Sequence, residues 1–239
     1  MHTIHPMTKD IHEIQASILK ELLLKKKARF SELNTANIST DQFTFHLRQL
    51  MEQGIAEKTG EGLYQLTVRG KEYANRFDID SGPVVKFEHQ AKIGVLVIAT
   101  RENGGKKEYL MQERRKEPFF GFRGFITGKV KIGESIAETA RRELEEETGL
   151  SAECEPKAVY HERIFSKDGG LLDDKNFFIF AASNPAGDLV TEFSGGKNTW
   201  VAERDVLKGN IFYDIADLLD LVAASRCTFS ERSYTVNEY

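Results

Sequence analysis

GKVKIGESIAETARRELEEETGL, residues 128–150, decides how the rest of the chain is read. Ser135 followed three positions on by Glu138 is a capping-box pattern, and Gly149 is a natural stop, so the spacing predicts one helix between them. At about 100° per residue, Ile136, Ala137, Ala140 and Leu144 form an apolar stripe, and Glu143, Glu146 and Glu147 cluster beside it. Like charges three and four apart repel, and acids near a helix C-terminus oppose its dipole. Such a cluster is locally unfavourable without a cation. Carboxylates with no His or Cys partner select a hard, oxygen-loving ion, Mg²⁺ or Mn²⁺.

A run of acids alone usually marks a solvated helix face, but this segment carries more than acids. Gly128 is followed after five spacers by Glu134, then after seven by Arg142-Glu143 and Leu144, then Glu146-Glu147, Gly149 and Leu150. At ordinary residue usage, that combination arises in on the order of one in a billion random windows. It matches the Nudix box at every defining position, and the chain resembles the Nudix hydrolases, which use a divalent metal to cleave a nucleoside diphosphate linked to another group. The resemblance implies an α/β/α sandwich with a mixed sheet over roughly residues 86–225. It implies Glu143, Glu146 and Glu147 as metal ligands, with Arg142 holding an acid in place by pairing with Glu134. It also implies a general base, either Glu143 or an acid on a loop beyond the box, for which Asp173, Asp174 and Glu192 are candidates. Where relatives often read Trp-x-x-Pro-Gly-Gly before the box, this chain has RGFITG (123–128). The ligands survive that departure, but loop geometry and substrate preference do not carry over.

The flanking sequence supplies strands for such a sandwich. KIGVLVIAT (92–100) and EYLMQER (108–114) read as strands joined at Gly104-Gly105; KAVYHERIF (157–165) and NFFIFAAS (176–183) supply two more around Gly169-Gly170. Ile215, Leu218, Leu219 and Val222 pattern a closing helix within residues 214–225. The last dozen residues read equally as a tail or an edge strand. Arg114 and Arg115 end a strand leading to the site loop and, with Glu192, are the candidate substrate contacts.

The N-terminal third is organised differently. Ile11, Ile14, Ile18, Leu19, Leu22 and Leu23 share one helical face. A short segment follows around Phe30 to Leu33, then a helix capped by Ser39 with Phe43, Leu47, Leu50 and Met51 inward. IAEKTGEGLYQLT (55–67) reads as a hairpin turning at Gly60-Glu61-Gly62, and a last short helix begins near Thr67. Three helices and a two-stranded wing give the order of a winged helix-turn-helix, and Phe45 to Gly70 resembles the recognition helix and wing of MarR- and ArsR-type bacterial regulators. Asp80, Ser81, Gly82 and Pro83 are linker residues. The expected layout is a winged helix-turn-helix domain over 1–78, a linker over 79–86 and a Nudix domain over 87–239.

Composition narrows the partners. A net charge of −4 with interspersed signs gives no global pull toward nucleic acid or anionic membrane. No apolar run reaches the length of a membrane span, and MHTIHPMTKD lacks a secretory pattern, so the cytoplasm is the expected location. Cys154 and Cys227 stand in no zinc spacing, and the six histidines are scattered. Two functional classes follow. One is a hydrolase acting on a nucleotide-type small molecule such as ADP-ribose, its N-terminal domain serving dimerisation to a homodimer or regulation. The other is a transcriptional regulator whose Nudix domain senses a nucleotide. A sensor is free to lose its catalytic acids, and this chain keeps them all. A DNA reader needs basic and amide side chains, whereas the outward face of the second long helix carries Asp41, Gln42, Phe45, Arg48, Gln49 and Glu52. The hydrolase is the favoured reading, and DNA the less favoured partner.

Overall fold

Local sequence signals become helix ends in the computed structural model, which describes residues 11–78, 86–87, 90–237 and 239. The chain divides into two compact units, Met1–Gln90 and Ala91–Tyr239. The expected linker residues Asp80, Ser81, Gly82 and Pro83 lie outside the described residues.

The first unit runs α1 (Glu13–Leu24), α2 (Phe30–Leu33), α3 (Thr40–Glu52), β1 (Ala56–Lys58), β2 (Tyr64–Leu66), α4 (Val68–Ala74), β3 (Phe77–Asp78) and β4 (Lys86–Phe87). Ser39 accepts the Gln42 N–H at the start of α3, and Thr67 does the same for Gly70 at the start of α4, each satisfying an orphan donor. Strands β1 and β2 pair antiparallel around the glycine turn, and β3 pairs with β4. Ile18, Leu19, Leu22, Phe43, Leu47 and Leu50 form the core. Met51, expected inward, is 36% exposed. At about 100° per residue Met51 falls about 40° beyond Leu47, on the far side from Leu50, which puts it at the solvent edge of the Phe43–Leu47–Leu50 stripe.

The second unit runs β5 (Lys92–Asn103), β6 (Lys106–Arg114), β7 (Arg123–Gly124), β8 (Ile126–Lys129), α5 (Ile136–Thr148), β9 (Cys154–Phe165), β10 (Leu171–Ser183), β11 (Glu192–Phe193), β12 (Gly196–Ala202), a 3-10 turn (Glu203–Asp205), α6 (Ile215–Ala223) and β13 (Thr228–Thr235). Among the described residues the main sheet has nine strands in the order β11-β12-β6-β5-β10-β9-β13, with β7 on β6 and β8 on β5. It is mixed: β10 lies parallel to β5 and β13 parallel to β9, and the other pairs are antiparallel. The open question about the C-terminal segment resolves as edge strand β13.

Strand periodicity builds the two faces. On β5, Val95, Val97 and Ala99 pack with Ala140 and Leu144 of α5, while Leu96 and Ile98 pack with Ile215 and Leu218 of α6. The result is an α/β/α sandwich with α5 on one face and α6 on the other. Helix α5 keeps its foreseen ends: Ser135 and Glu138 form the capping box, and Gly149 takes φ +71°, a left-handed stop that favours glycine. Among the described residues no helix is long and apolar enough to cross a membrane.

Candidate active site

Helix α5 and strand β8 meet where Gly128 faces Glu143. A Cβ on Gly128 would stand 1.9 Å from Glu143 Cδ and 2.3 Å from its Oε1, so only glycine lets the carboxyl lie against this strand. Gly128 is fixed opposite Val95 in the β8–β5 ladder, and buried Leu144 and Ala140 fix α5 from below. The carboxyl is thereby clamped between two rigid elements.

Arg142 organises the acids. Its Nε and Nη2 donate to the two oxygens of Glu134 at 2.7 and 2.9 Å, a bidentate pair, and Thr139 Oγ1 donates to the same carboxyl at 2.9 Å. The Arg142 hydrogen bond, with help from Thr139 and the Lys131 N–H, holds the Glu134 carboxyl down at about 2. Arg142 Nη1 donates to Glu143 at 2.7 Å and to Glu146 at 2.9 Å. Contacts to Glu134, then Glu143 and Glu146, push the guanidinium pKa further up. The sequence predicts repulsion between Glu143 and Glu146; the structure puts a guanidinium N–H between them.

Glu147 stands apart from that cage. Gln112 Nε2 donates to its Oε2 at 2.9 Å, and Asn198 Nδ2 donates to its backbone carbonyl at 2.7 Å, tying β6 and β12 to the end of α5. Burial, reinforced by the Glu143 charge, pushes the Glu147 carboxyl up. Glu143 and Glu147 both line a cleft of about 570 Å³. Its other walls carry Arg114, Lys92, Lys116, Lys129 and Lys175, so carboxylates face cations across one opening.

The remaining predicted residues are distributed unequally. Arg114 lines the cleft, but its guanidinium donates to the carbonyls of Pro118 at 2.6 Å and Lys116 at 3.0 Å, folding the loop after β6 around itself. Burial lowers its pKa from the ordinary value. Arg115 pairs with Glu192 at 3.3 Å on the surface, and neither is among the residues lining the cleft. Of the candidate bases, Asp173 reaches the cleft, where Lys92 and Lys175 hold it at 2.8 and 2.6 Å. Burial opposes ionisation there, yet hydrogen bonds from Lys175 and Lys92 bring the carboxyl below its usual range. Asp174, one residue on, points to the other face and meets His161 Nε2 at 2.9 Å.

Sequence reasoning missed Gln112, Asn198, Lys92 and Lys175. The two lysines are register partners across the parallel β5–β10 pair, a juxtaposition no local pattern announces. Among the described residues no three or more His, Cys, Asp or Glu side chains are gathered as a metal cage. Arg142 accounts for that, since it engages two of the three acids. The donor chemistry nevertheless fits a hard cation. Glu143 in its glycine cradle and Glu147 under Gln112 present carboxylate oxygens on one cleft, and Glu146 is the exposed neighbour.

Comparison with known proteins agrees with this geometry. The family model for the NUDIX domain matches residues 90–222. The mutator MutT protein from Bacillus halodurans aligns at 24% identity and a TM-score of 0.52, covering 62% of this chain and 93% of that one. The NUDIX domain of Shewanella oneidensis NrtR, solved with ADP ribose, aligns at 19% identity and a TM-score of 0.50, covering 65% and 96%. At these identities the two solved structures speak for a shared fold. The family match spans more than half of the chain and contains the whole acidic helix, so the chain belongs to the NUDIX family.

Proposed function

We propose that this Nudix pyrophosphohydrolase cleaves the diphosphate linkage of a nucleoside diphosphate derivative with the help of Mg²⁺ or Mn²⁺. The observation that carries the reading is the single cleft in which Glu143 and Glu147 face Arg114, Lys92, Lys116, Lys129 and Lys175. A diphosphate resists water through its own charge. A divalent cation, when bound, neutralises that charge and lowers the pKa of a water. Glu143, Glu146 and Glu147 are its proposed ligands. Arg142 positions Glu143 and Glu146, and Glu134 positions Arg142 by its bidentate pair. The lysines of the opposite wall hold phosphate oxygens, Lys92 and Lys175 being anchored by Asp173. Asp173 has both carboxyl oxygens engaged by ammonium groups, and Glu143, on the same cleft, is the proposed base.

The first unit is proposed as a winged helix-turn-helix that serves dimerisation or regulation rather than tight DNA binding. On α3 the exposed positions include Asp41 and Glu52, and Arg48 is spent on Glu52 at 3.8 Å. The test of the enzymatic reading is a nucleotide panel with Mg²⁺, following monophosphate release. Release from a nucleoside diphosphate derivative that stops in excess chelator supports it; no release from any member refutes it.

A further inference from the structure

Behind the cleft lies a second, smaller chamber of about 90 Å³. That exceeds several-fold the ~10–15 Å³ that one water needs. Gln112, Arg114, Pro118, Thr127, Lys175 and Phe177 line both spaces, so the chamber opens from the cleft beside Glu147's partner Gln112. Its walls are aromatic: Phe119, Phe125, Phe177 and Phe212. A Cβ on Gly124 would meet the Phe212 ring at 2.7 Å, so a glycine keeps that ring close.

Two acids stand in this apolar setting. Glu162 from β9 is 7% exposed and Asp214, at the start of α6, is 6% exposed; both line the chamber. Asp214 makes no side-chain capping bond to its helix; its carboxyl instead takes a backbone hydrogen bond at its own residue. Lys175 lines the same space, but its ammonium is held by Asp173 at 2.6 Å. Burying carboxyls in an apolar setting is costly, and these two line the same chamber.

We propose that Glu162 and Asp214 are the floor of a nucleobase pocket that reads an amidine edge, an exocyclic amino group beside a ring nitrogen, as in adenine or cytosine. The inference rests on the nucleotide reading of the neighbouring cleft and deepens it. A neutral carboxyl offers an O–H donor and a carbonyl acceptor in one plane, matching the ring nitrogen and one amino N–H. The second carboxyl accepts the other amino N–H. The phenyl faces take the flat ring, and phosphates then extend past Gln112 toward Glu147 and the lysines. A lactam edge, as in hypoxanthine, lacks the amino donor and leaves one carboxyl unpaired. The charged and titratable groups facing the pair are Lys175 and Asp173 from β10, Asp217 from α6, Arg114 from β6 and the phenols of Tyr160 from β9 and Tyr234 from β13. Burial first, and mutual repulsion with Asp214, raise the Glu162 carboxyl well above its ordinary range; burial raises Asp214. Both shifts favour the neutral form of a carboxyl that lines the chamber.

The experiment is calorimetric titration of the full-length protein with adenosine or inosine monophosphate in excess chelator. The expected result is binding of adenosine monophosphate at least about tenfold tighter than inosine monophosphate, the scale of one buried polar group left unpaired. Affinity for adenosine monophosphate should fall severalfold between about pH 6 and about pH 9 as the pair ionises. Glu162→Gln keeps a donor and an acceptor but cannot ionise, so it should bind with a flattened pH profile. Equal binding of the two monophosphates, binding of neither, or a pH profile unmoved in the variant overturns the proposal. A parallel Mg²⁺ turnover assay separates the two readings. Base preference without turnover of any diphosphate refutes the hydrolase and leaves the pocket; turnover without base preference does the reverse.

Discussion

Gly128→Ala isolates the contact on which the site is built. An added Cβ would stand 1.9 Å from Glu143 Cδ and 2.0 Å from its Cγ. Ordinary carbon contact begins at about 3.5 Å, so the carboxyl must retreat by roughly 1.5–2 Å. Strand β8 cannot yield, because Gly128 is paired with Val95 in the ladder, and α5 is pinned by fully buried Leu144 and Ala140. The movement falls on Glu143 itself and breaks its 2.7 Å bond from Arg142 Nη1. Overpacking of this kind costs about 1–3 kcal/mol, while misplacing a catalytic group by about 1 Å costs on the order of 100-fold in rate. The variant should therefore lose about 100-fold or more in kcat with a thermal midpoint lower by only a few degrees. Gly60→Ala is the control, since a Cβ there meets nothing within 4 Å. Thermal denaturation and steady-state turnover on the best nucleotide make the measurement. A Gly128→Ala enzyme with wild-type kcat would refute the view that this glycine exists to admit Glu143.

Glu146→Gln should lower turnover by about 100-fold or more, as loss of a charge-stabilising group in a catalytic site does. Its effect on stability should be a loss of roughly 0.3–0.5 kcal/mol, because the change removes an exposed ion pair to Arg142 one turn away rather than relieving a repulsion; a clear gain in denaturation midpoint would contradict this. Burial and the neighbouring Asp214 charge push the Glu162 carboxyl well up in the folded chain, from about 4.3 unfolded. Its raised pKa contributes stability that is complete below the unfolded value and lost as pH rises through the folded one. Glu162→Gln should thus gain on the wild type as pH climbs from about 5 to about 9, and parallel melting curves at all pH values would rule this out. Full-length protein should bind DNA from upstream of its own gene no tighter than random DNA, with a steep salt dependence for both; nanomolar, sequence-selective binding released by a nucleotide would make the chain a regulator first.

What the sequence made legible was what depends on neighbours along the chain. Helix α5 was readable to its ends because Ser135, Glu138 and Gly149 act through local backbone groups. Strands β5, β6, β9 and β10 were readable from apolar runs between glycine turns. Strands β7 and β11, two residues each, and β8, four residues long, were missed because so short a segment carries no periodicity; β12, GKNTWVA, alternates too weakly to stand out. Site residues divide the same way. The Arg142–Glu134 pair follows from the motif the chain shares with its family. The Lys92–Lys175 wall exists only because β5 and β10 lie parallel in one particular register, and Glu162 and Asp214 meet only when β9 and the start of α6 pack together. Arg115, singled out because it follows the end of a strand, and Glu192, singled out as an acid beyond the box, pair with each other at the surface, a contact that chain position does not announce.

The most direct test of the account is turnover of a panel of nucleoside diphosphate derivatives by the wild type and by Glu147→Gln, with Mg²⁺ and in excess chelator, identifying each product. Glu147 lines the cleft and is oriented by Gln112, so its amide should fold normally while losing a ligand charge. The account predicts a nucleoside monophosphate product from the wild type with metal, none in chelator, and a loss of about 100-fold or more in the variant. Undiminished monophosphate release by the variant, or by the wild type in chelator, would contradict it.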